Sequence, residues 1–535
     1  MNPILEYLRN DIITPMTFLP CIGALLLLFL HRSDVRSIRL LAFFASLSPL
    51  LPLMRMIQKY DSSISSIQFS FKAAWIPSFH VDYFVGVDGL SIAMVLLVSI
   101  ITPLTILGSF RSIGAPEPSK AGCKTFYTLI LLEQTGLYGA FTALNFFHWF
   151  IFWEMSLVPM FFLIKLFGNE DRTHAAYQFF IYTFVGSVAM VIGMQFIYLA
   201  TDSWDFIDLA KMALPTDGVH SVLSSKIENL AGSIGVPFLM NHAVTLVFLL
   251  VFAGFAVKVP LWPFHTWLPV TYTQAPTAGS MLLTGLMSKM GVYGFLRVIL
   301  PLFSPSIAAH ATTLLFLAVA TIVFGALAAM AQRDLKTLVA YSSVSHLGYC
   351  MLGVFAVASV TGNVNDKALA LNGVILQMFA HGLSAAGLFY FVGLIEQRAQ
   401  TRALADLGGL RKTVPVMCGL MGVTLFTSLG LPGLAGFVGE FMIFRGAFPL
   451  QIGFTCVAAI GILLAALYLL RMMKGIFFGP QDDKWNAMPD LSMRERLVSG
   501  VLVALMFVVG IAPGYLISLS NSAVLELAKI YRLVA

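Results

Sequence analysis

Charged residues are scarce in this sequence. Asp, Glu, Lys and Arg supply 11% of its 535 residues, hydrophobic residues supply 58%, and the mean hydropathy is +0.87. Soluble globular domains carry about 25% charged residues, because their surfaces must stay solvated. The scarcity therefore excludes a soluble enzyme, and the hydropathy indicates a polytopic membrane protein.

Clustered metal ligands and cofactor fingerprints are also missing. Each of the five cysteines stands singly in or beside an apolar run, without CxxC spacing: Cys21, Cys123, Cys350, Cys418 and Cys456. We therefore expect neither an iron–sulfur cluster nor a zinc site, and we interpret the cysteines as core residues. A nucleotide-binding glycine fingerprint and a haem motif are absent too, so we expect no cofactor and no metal in this chain.

Long polar segments are few, because apolar runs take up most of the chain. About fourteen such runs are present, each near the roughly 20 residues that a membrane helix needs. They cover residues 13–31, 37–57, 87–110, 123–142, 144–166, 175–201, 242–269, 276–300, 307–331, 336–359, 368–395, 413–446, 453–478 and 495–518. We predict an all-α polytopic membrane protein with about fourteen transmembrane helices. The first run lacks a convincing cleavage site, so we expect no signal peptide.

The net charge of +6 does not call for a nucleic-acid partner. Lys and Arg stand mainly in short loops between apolar runs and concentrate in alternate loops, which is the positive-inside pattern. With the basic loops in the cytoplasm, both chain termini are predicted on the outer side. Two longer connections are predicted on that face, 58–86 as a short hairpin and 202–240 as an amphipathic surface segment.

Prolines interrupt two of the predicted spans. Pro260 and Pro263 break the seventh, and Pro432 in "LGLPGLAGFVGE" (429–440) breaks the twelfth. Broken helices in corresponding places of two halves are typical of inverted-repeat transporters. We therefore predict one membrane domain over 1–535. It comprises three N-terminal helices (1–110), a first five-helix repeat (123–300), a second, inverted five-helix repeat (307–478) and a C-terminal helix (495–535).

Ionisable residues inside the apolar runs are candidates for function, because each costs on the order of 2.5 to 3.5 kcal/mol at the bilayer centre. They are Glu133, Glu154, Lys258, His265, Lys289, His346, His381 and Glu440. A buried lysine beside a carboxylate can release or capture a proton when that carboxylate moves or is screened. A Lys–Glu pair beside a proline break, where freed carbonyls hold water, is therefore a switchable proton site.

Structural interpretations of the same residues stay open. Lys258 could lock helices together as a static ion-pair partner, and His346 and His381 could each be satisfied by one hydrogen bond. Glu133 lies near a span end and is interpreted as structural. Three further basic residues are expected to anchor span ends by snorkelling, namely Arg297, Lys336 and Arg445.

Several motifs follow one another in a family-specific order. They are "FVGVDGLSIAMVLL", "FWEMSLVPMFFLI", "FAVKVPLWPFHTWLP", "QAPTAGSMLLTGLMSKMGVYGFLR", "LVAYSSVSHLGY", "FAHGLSAAGLFY", "GFVGEF" and "LLRMMKGIFFGP". By these motifs the chain resembles, over nearly its whole length, the antiporter-like proton-channel subunits of respiratory NADH–quinone oxidoreductase, complex I. It looks most like the subunit M branch. Glu440 in "GFVGEF" stands where sister branches typically carry lysine, and the chain ends soon after its fourteenth predicted helix.

The resemblance implies a role for each candidate. Glu154 would pair with Lys258, and Lys289 would connect onward. His346 and His381 would extend a hydrated path across the membrane plane, and Glu440 would serve the outlet half. These residues would translocate protons and bind no cofactor or metal.

The resemblance also implies the setting of the chain. It would be a proton-translocating membrane-arm subunit that couples NADH:quinone electron transfer in partner subunits to proton pumping, as a non-redox part of this translocase. NADH, FMN, iron–sulfur clusters and quinone would belong to those partners, which include L-like and N-like neighbours. The protein would lie in the bilayer of the bacterial inner (cytoplasmic) membrane, without a nucleic-acid partner.

The sequence departs from the family pattern around spans five to eight. Val270, Thr271 and Tyr272 stand where Asp-Ala-His is usual, Gln178 where lysine is usual and Asn145 where aspartate is common. These losses leave the route of proton uptake open. Two alternatives therefore remain: a subunit of a multisubunit Na+/H+ antiporter or membrane-bound hydrogenase, and a divergent, non-pumping structural paralogue.

Overall fold

The computed structural model describes residues 11–110, 122–214, 221–359, 362–480 and 482–533, so the predicted sides of the two chain ends lie outside the described residues. Up to the first proline break, the helices are α1 (Ile13–Phe29), α2 (Val35–Leu47), α3 (Leu50–Lys59), α4 (Ile92–Ser109), α5 (Gly122–Thr142), α6 (Phe146–Phe167), α7 (Arg172–Thr201), α8 (Phe206–Met212), α9 (Val222–Ile234) and α10 (Pro237–Lys258).

The helices after that break complete the bundle. They are α11 (Trp267–Gln274), α12 (Thr277–Leu302), α13 (Ser304–Ala309), α14 (Ala311–Ala331), α15 (Leu335–Ala356), α16 (Val364–Ala399), α17 (Pro415–Leu429), α18 (Ala435–Leu450), α19 (Ile452–Phe477), α20 (Met493–Ile511) and α21 (Gly514–Leu533). Short 3₁₀ turns cover Pro77–Phe79, Leu404–Asp406, Leu410–Lys412 and Asp483–Trp485.

The predicted polytopic membrane fold is confirmed, but a strict count of spans is lower than predicted. Over the described ranges, 10 helices are long and apolar enough to cross a membrane, or 11 if a bent pair is one span. Several predicted spans fall short because they are broken or brief, such as α17 and the 17-residue α1. The count of fourteen and the inverted repeats therefore remain predictions.

Three helices form the centre of the bundle. Within an apolar 18-residue stretch of each helix, the buried share is 94% in α12, 94% in α15 and 100% in α16. The corresponding share is 33% in α19 and 39% in α7. An apolar helix that leaves most of its surface uncovered in a membrane protein faces lipid, whereas one covered on all sides packs against other helices. Helices α12, α15 and α16 are thus enclosed by protein.

Both predicted proline breaks are present. Helix α10 ends at Lys258 and α11 begins at Trp267, whose indole Nε1 donates to the Val257 carbonyl across the gap at 3.0 Å. Pro260 lacks the backbone N–H that a further helical turn would use, and α10 ends two residues before it. Helix α17 ends at Leu429, and α18 begins at Ala435.

The long connection before α4 forms the predicted hairpin. Strands β1 (Gln68–Ile76) and β2 (Val81–Val87) pair antiparallel, with Phe71 opposite Val85, and are the exception to an otherwise helical chain among the described residues. Leu144 N donates to the Phe84 carbonyl at 2.9 Å, which docks the hairpin on the α5–α6 connection. In the second long connection, α8 and α9 form the surface segment.

The last predicted helix is wrong in one respect. A continuous span was expected over 495–518 within a C-terminal helix, but α20 ends at Ile511 and α21 leaves it at an angle of 64°. Pro513 stands in the gap and cannot donate the backbone hydrogen bond that would continue α20.

Candidate functional site

The central helices carry three of the predicted proton-carrying side chains. Lys289 lies on α12, His346 on α15 and His381 on α16, with 0%, 2% and 4% of their surfaces exposed. Glu440, on α18, is 7% exposed and lies beside them. Ionisable groups this far from water must find polar partners within the protein.

Two π-helical turns flank Lys289 on α12. They cover Leu283–Met287 and Phe295–Ile299. The Thr284 carbonyl, inside the first turn, accepts hydrogen bonds from Lys289 Nζ and from Ser288 Oγ, the latter at 3.1 Å. Such turns misalign the backbone ladder and free carbonyls for side chains. The turn thus supplies one of the acceptors that a buried ammonium group needs.

Lys289 is hydrogen bonded to a histidine on another helix. Its Nζ lies 2.8 Å from Nδ1 of His381. An ammonium group only donates, so with Lys289 charged the Nδ1 atom accepts and the imidazole proton resides on Nε2. Helices α12 and α16 approach closely here, because a Cβ on Gly382 would lie 3.0 Å from the Gly285 carbonyl oxygen.

A second hydrogen-bonded pair continues from His381. The ring centroids of His381 and His346 are 5.6 Å apart, and His346 Nδ1 lies 2.8 Å from Glu440 Oε1. Gln377 Nε2 donates to the same oxygen at 3.0 Å. His346 Nε2 is buried and has no hydrogen-bond partner among the described residues. Lys289, His381, His346 and Glu440 therefore form two hydrogen-bonded pairs whose imidazole rings lie side by side, and we call these four residues the central row.

Glu440 lies at the break between α17 and α18. A Cβ built on Gly430 would lie 3.2 Å from Glu440 Oε2, and Gly430 has a φ of +82°, a left-handed conformation that favours glycine. The carboxyl group thus contacts the irregular backbone at the predicted break. The central row ends where a helix is interrupted.

Lys258 occupies the last position of α10 and is 2% exposed. Its Nζ lies 5.0 Å from the ring centroid of Trp153 and 6.0 Å from that of Phe179. Glu154 and Glu133 are the carboxyl groups that act on it electrostatically. Among the described residues, neither carboxyl group has an oxygen within 4.0 Å of Lys258 Nζ, the limit for a direct ion pair. The predicted Glu154–Lys258 pairing is therefore not a direct contact.

Glu154 is half-buried on α6, next to Trp153. Trp153 Nε1 donates to Ser187 Oγ at 3.0 Å, and the Ser187 hydroxyl also interacts with the Glu154 carboxyl group. His265 lies in the gap between α10 and α11, and its buried Nδ1 has no partner within the described ranges. Glu154 thus acts on Lys258 electrostatically without a direct contact, and His265 makes no hydrogen bond through Nδ1 among the described residues.

The departure at Tyr272 has a structural counterpart. The Tyr272 hydroxyl donates to the Leu283 carbonyl at 3.1 Å, at the first residue of the π-helical turn that precedes Lys289. Thr271 Oγ1 donates to the Trp267 carbonyl at 2.7 Å, while Val270 is apolar. Where a histidine is usual, a phenol therefore ties the half-helix α11 to the Lys289 turn.

The other two departures lie apart from the central row. Asn145 Nδ2 donates to Asp205 Oδ1 at 2.8 Å, and the other oxygen of Asp205 binds Lys72. An aspartate at position 145 would face Asp205 with a like charge, so asparagine suits this site. Gln178 lies on α7, and its buried Oε1 has no partner within the described part of the chain.

Two of the predicted snorkelling residues are instead buried partners. Arg297 donates to both oxygens of Asp88, at 2.8 Å for Nη1 to Oδ2, and Lys336, 1% exposed, donates to the Ala275 carbonyl at 2.7 Å. The prediction of snorkelling is wrong for both residues. Arg297 reaches the Asp88 carboxylate, and Lys336 reaches a backbone carbonyl at the end of the half-helix α11. Arg445, 61% exposed along its side chain, stays at the surface as expected.

Sequence reasoning missed Asp88 and underrated Glu133. Asp88 stands in the motif "FVGVDGLSIAMVLL" just before α4, at an apolar-run edge where a charge is ordinary. Glu133 lies in the middle of α5 with 0% exposure, and not near its end. In the residues that the structure describes, no group of three or more His, Cys, Asp or Glu side chains is placed to hold a metal ion.

A polytopic helical bundle with two interrupted spans and a buried row of ionisable side chains defines an antiporter-like, ion-translocating membrane subunit. The chain belongs to the NADH:quinone oxidoreductase/Mrp antiporter transmembrane family, whose model matches residues 143–467. The resemblance that the sequence motifs carry is thereby confirmed.

Relatives extend this match to nearly the whole chain. A protein of Rickettsia prowazekii named NADH-quinone oxidoreductase subunit M is 32% identical over 521 residues, which cover 97% of this chain and 98% of the relative. A chain of respiratory complex I from Thermus thermophilus matches with a TM-score of 0.81 at 26% identity, covering 98% of this chain and 100% of that one. A chain of the Mrp complex of a Dietzia species also reaches 0.81, at 20% identity and with 98% and 99% covered, and so shares the fold.

Proposed function

We propose that this chain is a proton-translocating membrane-arm subunit of an NADH–quinone oxidoreductase. It moves protons and carries no redox centre, whereas NADH, FMN, iron–sulfur clusters and quinone are held by partner subunits. The similarity to subunit M of complex I over 97% of the chain supports this assignment. Protons are the transported ion, because every member of the central row can gain or lose one.

The central row is the observation that carries the proposal. Lys289 Nζ and His381 Nδ1 are 2.8 Å apart, as are His346 Nδ1 and Glu440 Oε1, and 5.6 Å separates the two imidazole centroids. A proton moves along hydrogen bonds between groups that alternately donate and accept, and imidazole does both through its two nitrogens. The row therefore offers a path that crosses from α12 through α16 and α15 to α18.

Lys258 and Glu154 form the input of this path. Redox energy released in partner subunits changes the electrostatic field around Glu154, and the Lys258 ammonium group then releases its proton toward Lys289. The two lysines are joined by packing, because a Cβ on Gly291, two residues after Lys289, would lie 3.2 Å from the Lys258 carbonyl carbon. Each proton moved against 100 mV takes roughly 2.3 kcal/mol from that redox energy.

The location, neighbours and orientation of the chain follow from the same assignment. The chain lies in the bacterial inner membrane, contacts L-like and N-like subunits of the membrane arm, and has both termini on the outer side. Glu440 serves the outlet half of the path. It sits at the α17–α18 break, where an irregular backbone can line a hydrated cavity.

The Na+/H+ antiporter alternative is less well supported. The Dietzia Mrp chain shares the fold at 20% identity, whereas the relative named subunit M is 32% identical over 521 residues. A fold shared by both classes does not separate them, so the identity over the whole length favours the oxidoreductase. A non-pumping paralogue is separated from a pumping subunit by experiment.

Lys289→Ala in the assembled complex tests the proposal. Inside-out membrane vesicles that oxidise NADH should acidify their lumen at a rate reduced by at least about 100-fold, because the row loses a proton carrier. Lys367→Ala is the matched control: Lys367 is likewise buried, with 2% of its surface exposed, but it donates to the Ser359 and Tyr531 carbonyls outside the row. Unchanged acidification in Lys289→Ala, with normal amounts of complex, would overturn the proposal.

A further inference from the structure

Glu133 is a buried carboxyl group without a local partner. It lies in the middle of α5 with 0% exposure, and neither Oε1 nor Oε2 has a hydrogen-bond partner among the described residues. Its neighbour Gln134 is equally buried but donates to the Ser46 carbonyl at 2.9 Å. An isolated buried carboxylate is too costly to persist, so the group must be neutral or compensated by a nearby charge.

Lys258 carries the charge that acts on Glu133. Lys258 in turn responds to both Glu154 and Glu133. The ammonium group of Lys258 thus interacts with carboxyl groups on two different helices, α6 and α5. It is in direct contact with aromatic rings rather than locked to either carboxylate.

Close packing joins α5 to the Lys258 site. A Cβ on Gly136, one turn after Glu133, would lie 2.9 Å from Ser156 N on α6. Ser156 Oγ lies 3.6 Å from the Met290 sulfur on α12, and a Cβ on the adjacent Gly291 would lie 3.2 Å from the Lys258 carbonyl carbon. Helix α5, one turn from Glu133, is therefore connected through α6 and α12 to the backbone of Lys258.

The three groups cannot all be charged. One ammonium group neutralises one carboxylate, so a second carboxylate in the same dry site leaves an uncompensated negative charge. The low-energy form of the site carries one extra proton on either Glu133 or Glu154. Lys258 can then pair with whichever carboxyl group is ionised.

We propose that Glu133 is a second proton-carrying carboxyl group of the Lys258 site. In this step, an N–H bond of the Lys258 ammonium breaks and an O–H bond forms on the Glu133 carboxylate. The products are a neutral amine and a neutral carboxylic acid, so atoms and net charge balance. Glu133 holds this proton while Glu154 responds to the driving subunits; the reverse transfer returns the proton to Lys258, from which it passes toward Lys289. The inference rests on the proposed function and adds a residue to it.

Isosteric substitution in the intact complex separates this role from packing. Glu133→Gln keeps the shape of the side chain but cannot carry the proton, so NADH-driven acidification of inside-out vesicles should fall roughly tenfold. Glu133→Asp keeps a carboxyl group and should recover most of the rate. Glu133→Gln combined with Glu154→Gln should fall by at least about 100-fold.

Infrared difference spectra on NADH addition give a second readout that packing does not move. The band of a protonated carboxyl group should change in the wild type. Its amplitude per assembled complex should be smaller in Glu133→Gln, whatever the amount of complex that assembles. Normal pumping and an unchanged band in Glu133→Gln, while Lys258→Ala fails to pump, would overturn the inference and leave the proposed function intact. Normal pumping in Lys258→Ala as well would overturn the proposed function itself.

Discussion

Lys289 and His381 join two enclosed helices through a hydrogen bond of 2.8 Å between Nζ and Nδ1. The two residues are 92 positions apart, and each is embedded in an apolar run. Because the lysine also binds the Thr284 carbonyl, its amino group has a fixed position from which it can deliver a proton to the imidazole.

His381→Gln should keep the hydrogen bond to Lys289 but abolish proton transfer through residue 381. A glutamine can still accept from Lys289, but an amide does not relay a proton at neutral pH. We expect vesicle acidification to fall by at least about 100-fold in complexes that assemble normally.

The matched control is His148→Gln. His148 is also a buried imidazole, 3% exposed, but it packs against the rings of Tyr83 and Phe152, away from the central row. Its substitution should leave acidification per assembled complex unchanged. Equal losses in both variants would argue against a special role for His381.

Glu440→Gln should retain the helix packing and lose the proton site at the end of the central row. The amide keeps the size of the side chain and its carbonyl oxygen can still accept from His346 and Gln377, yet it cannot hold an exchangeable acidic proton. Acidification should drop by at least about 100-fold while the yield of complex stays normal. A lost complex with normal pumping in the remainder would contradict this prediction.

Gly430→Ala should impair both the fold and the Glu440 carboxyl group. Its left-handed φ of +82° costs a non-glycine residue about 1–2 kcal/mol, and the new methyl group would press on Glu440 Oε2 at 3.2 Å. Gly433→Ala is the control, because Gly433 has a φ of +90° but no atom within 4 Å of the added Cβ. The thermal stability of the complex should fall similarly in both, and pumping should fall further in Gly430→Ala.

Asp88→Asn should destabilise the protein, because it leaves the Arg297 guanidinium group without a counter-charge. Arg297 and Asp88 side chains are 11% and 5% exposed, and removing one partner of a buried pair costs about 3–5 kcal/mol. Glu526→Gln removes an exposed pair with Lys529, which is worth about 0–1 kcal/mol. Thermal melting of the purified complex should therefore shift strongly in the first variant and little in the second.

The sequence predicted those features that depend on local chemistry. Pro260 and Pro432 mark real helix breaks, because proline lacks the backbone N–H that continues a helix. Proline alone does not decide this, since Pro103 and Pro159 lie inside α4 and α6; at Pro432 the nearby Gly430 and Gly433 add left-handed φ values of +82° and +90°. Lys289, His346, His381 and Glu440 stood out because a charge inside an apolar run is costly. Lys289 is hydrogen bonded to His381 and His346 to Glu440, while the proton-carrying roles that the family resemblance implied remain predictions.

Features that depend on distant partners could not be predicted in this way. Arg297 was assigned to the interface because Asp88, its partner 209 positions away, lies at the edge of an apolar run. Glu133 was interpreted as structural because its distance from Lys258 is set by the packing of α5, α6 and α12. The π-helical turns around Lys289 leave no mark on an apolar periodicity, and the bend at Pro513 was hidden within a long hydrophobic run.

The enclosure of α12, α15 and α16 has an electrical consequence. A row of groups that exchange protons would dissipate the membrane potential if water or lipid headgroups could reach it from the side. In the proposed function, the surrounding helices, such as α19 with its exposed apolar flank, insulate the central row from water and lipid headgroups. Apolar residues can therefore replace one another on the lipid-facing surface of these helices without loss of coupling. A polar side chain that opens a water-filled path between the helices would let protons leak even with every residue of the proposed path in place.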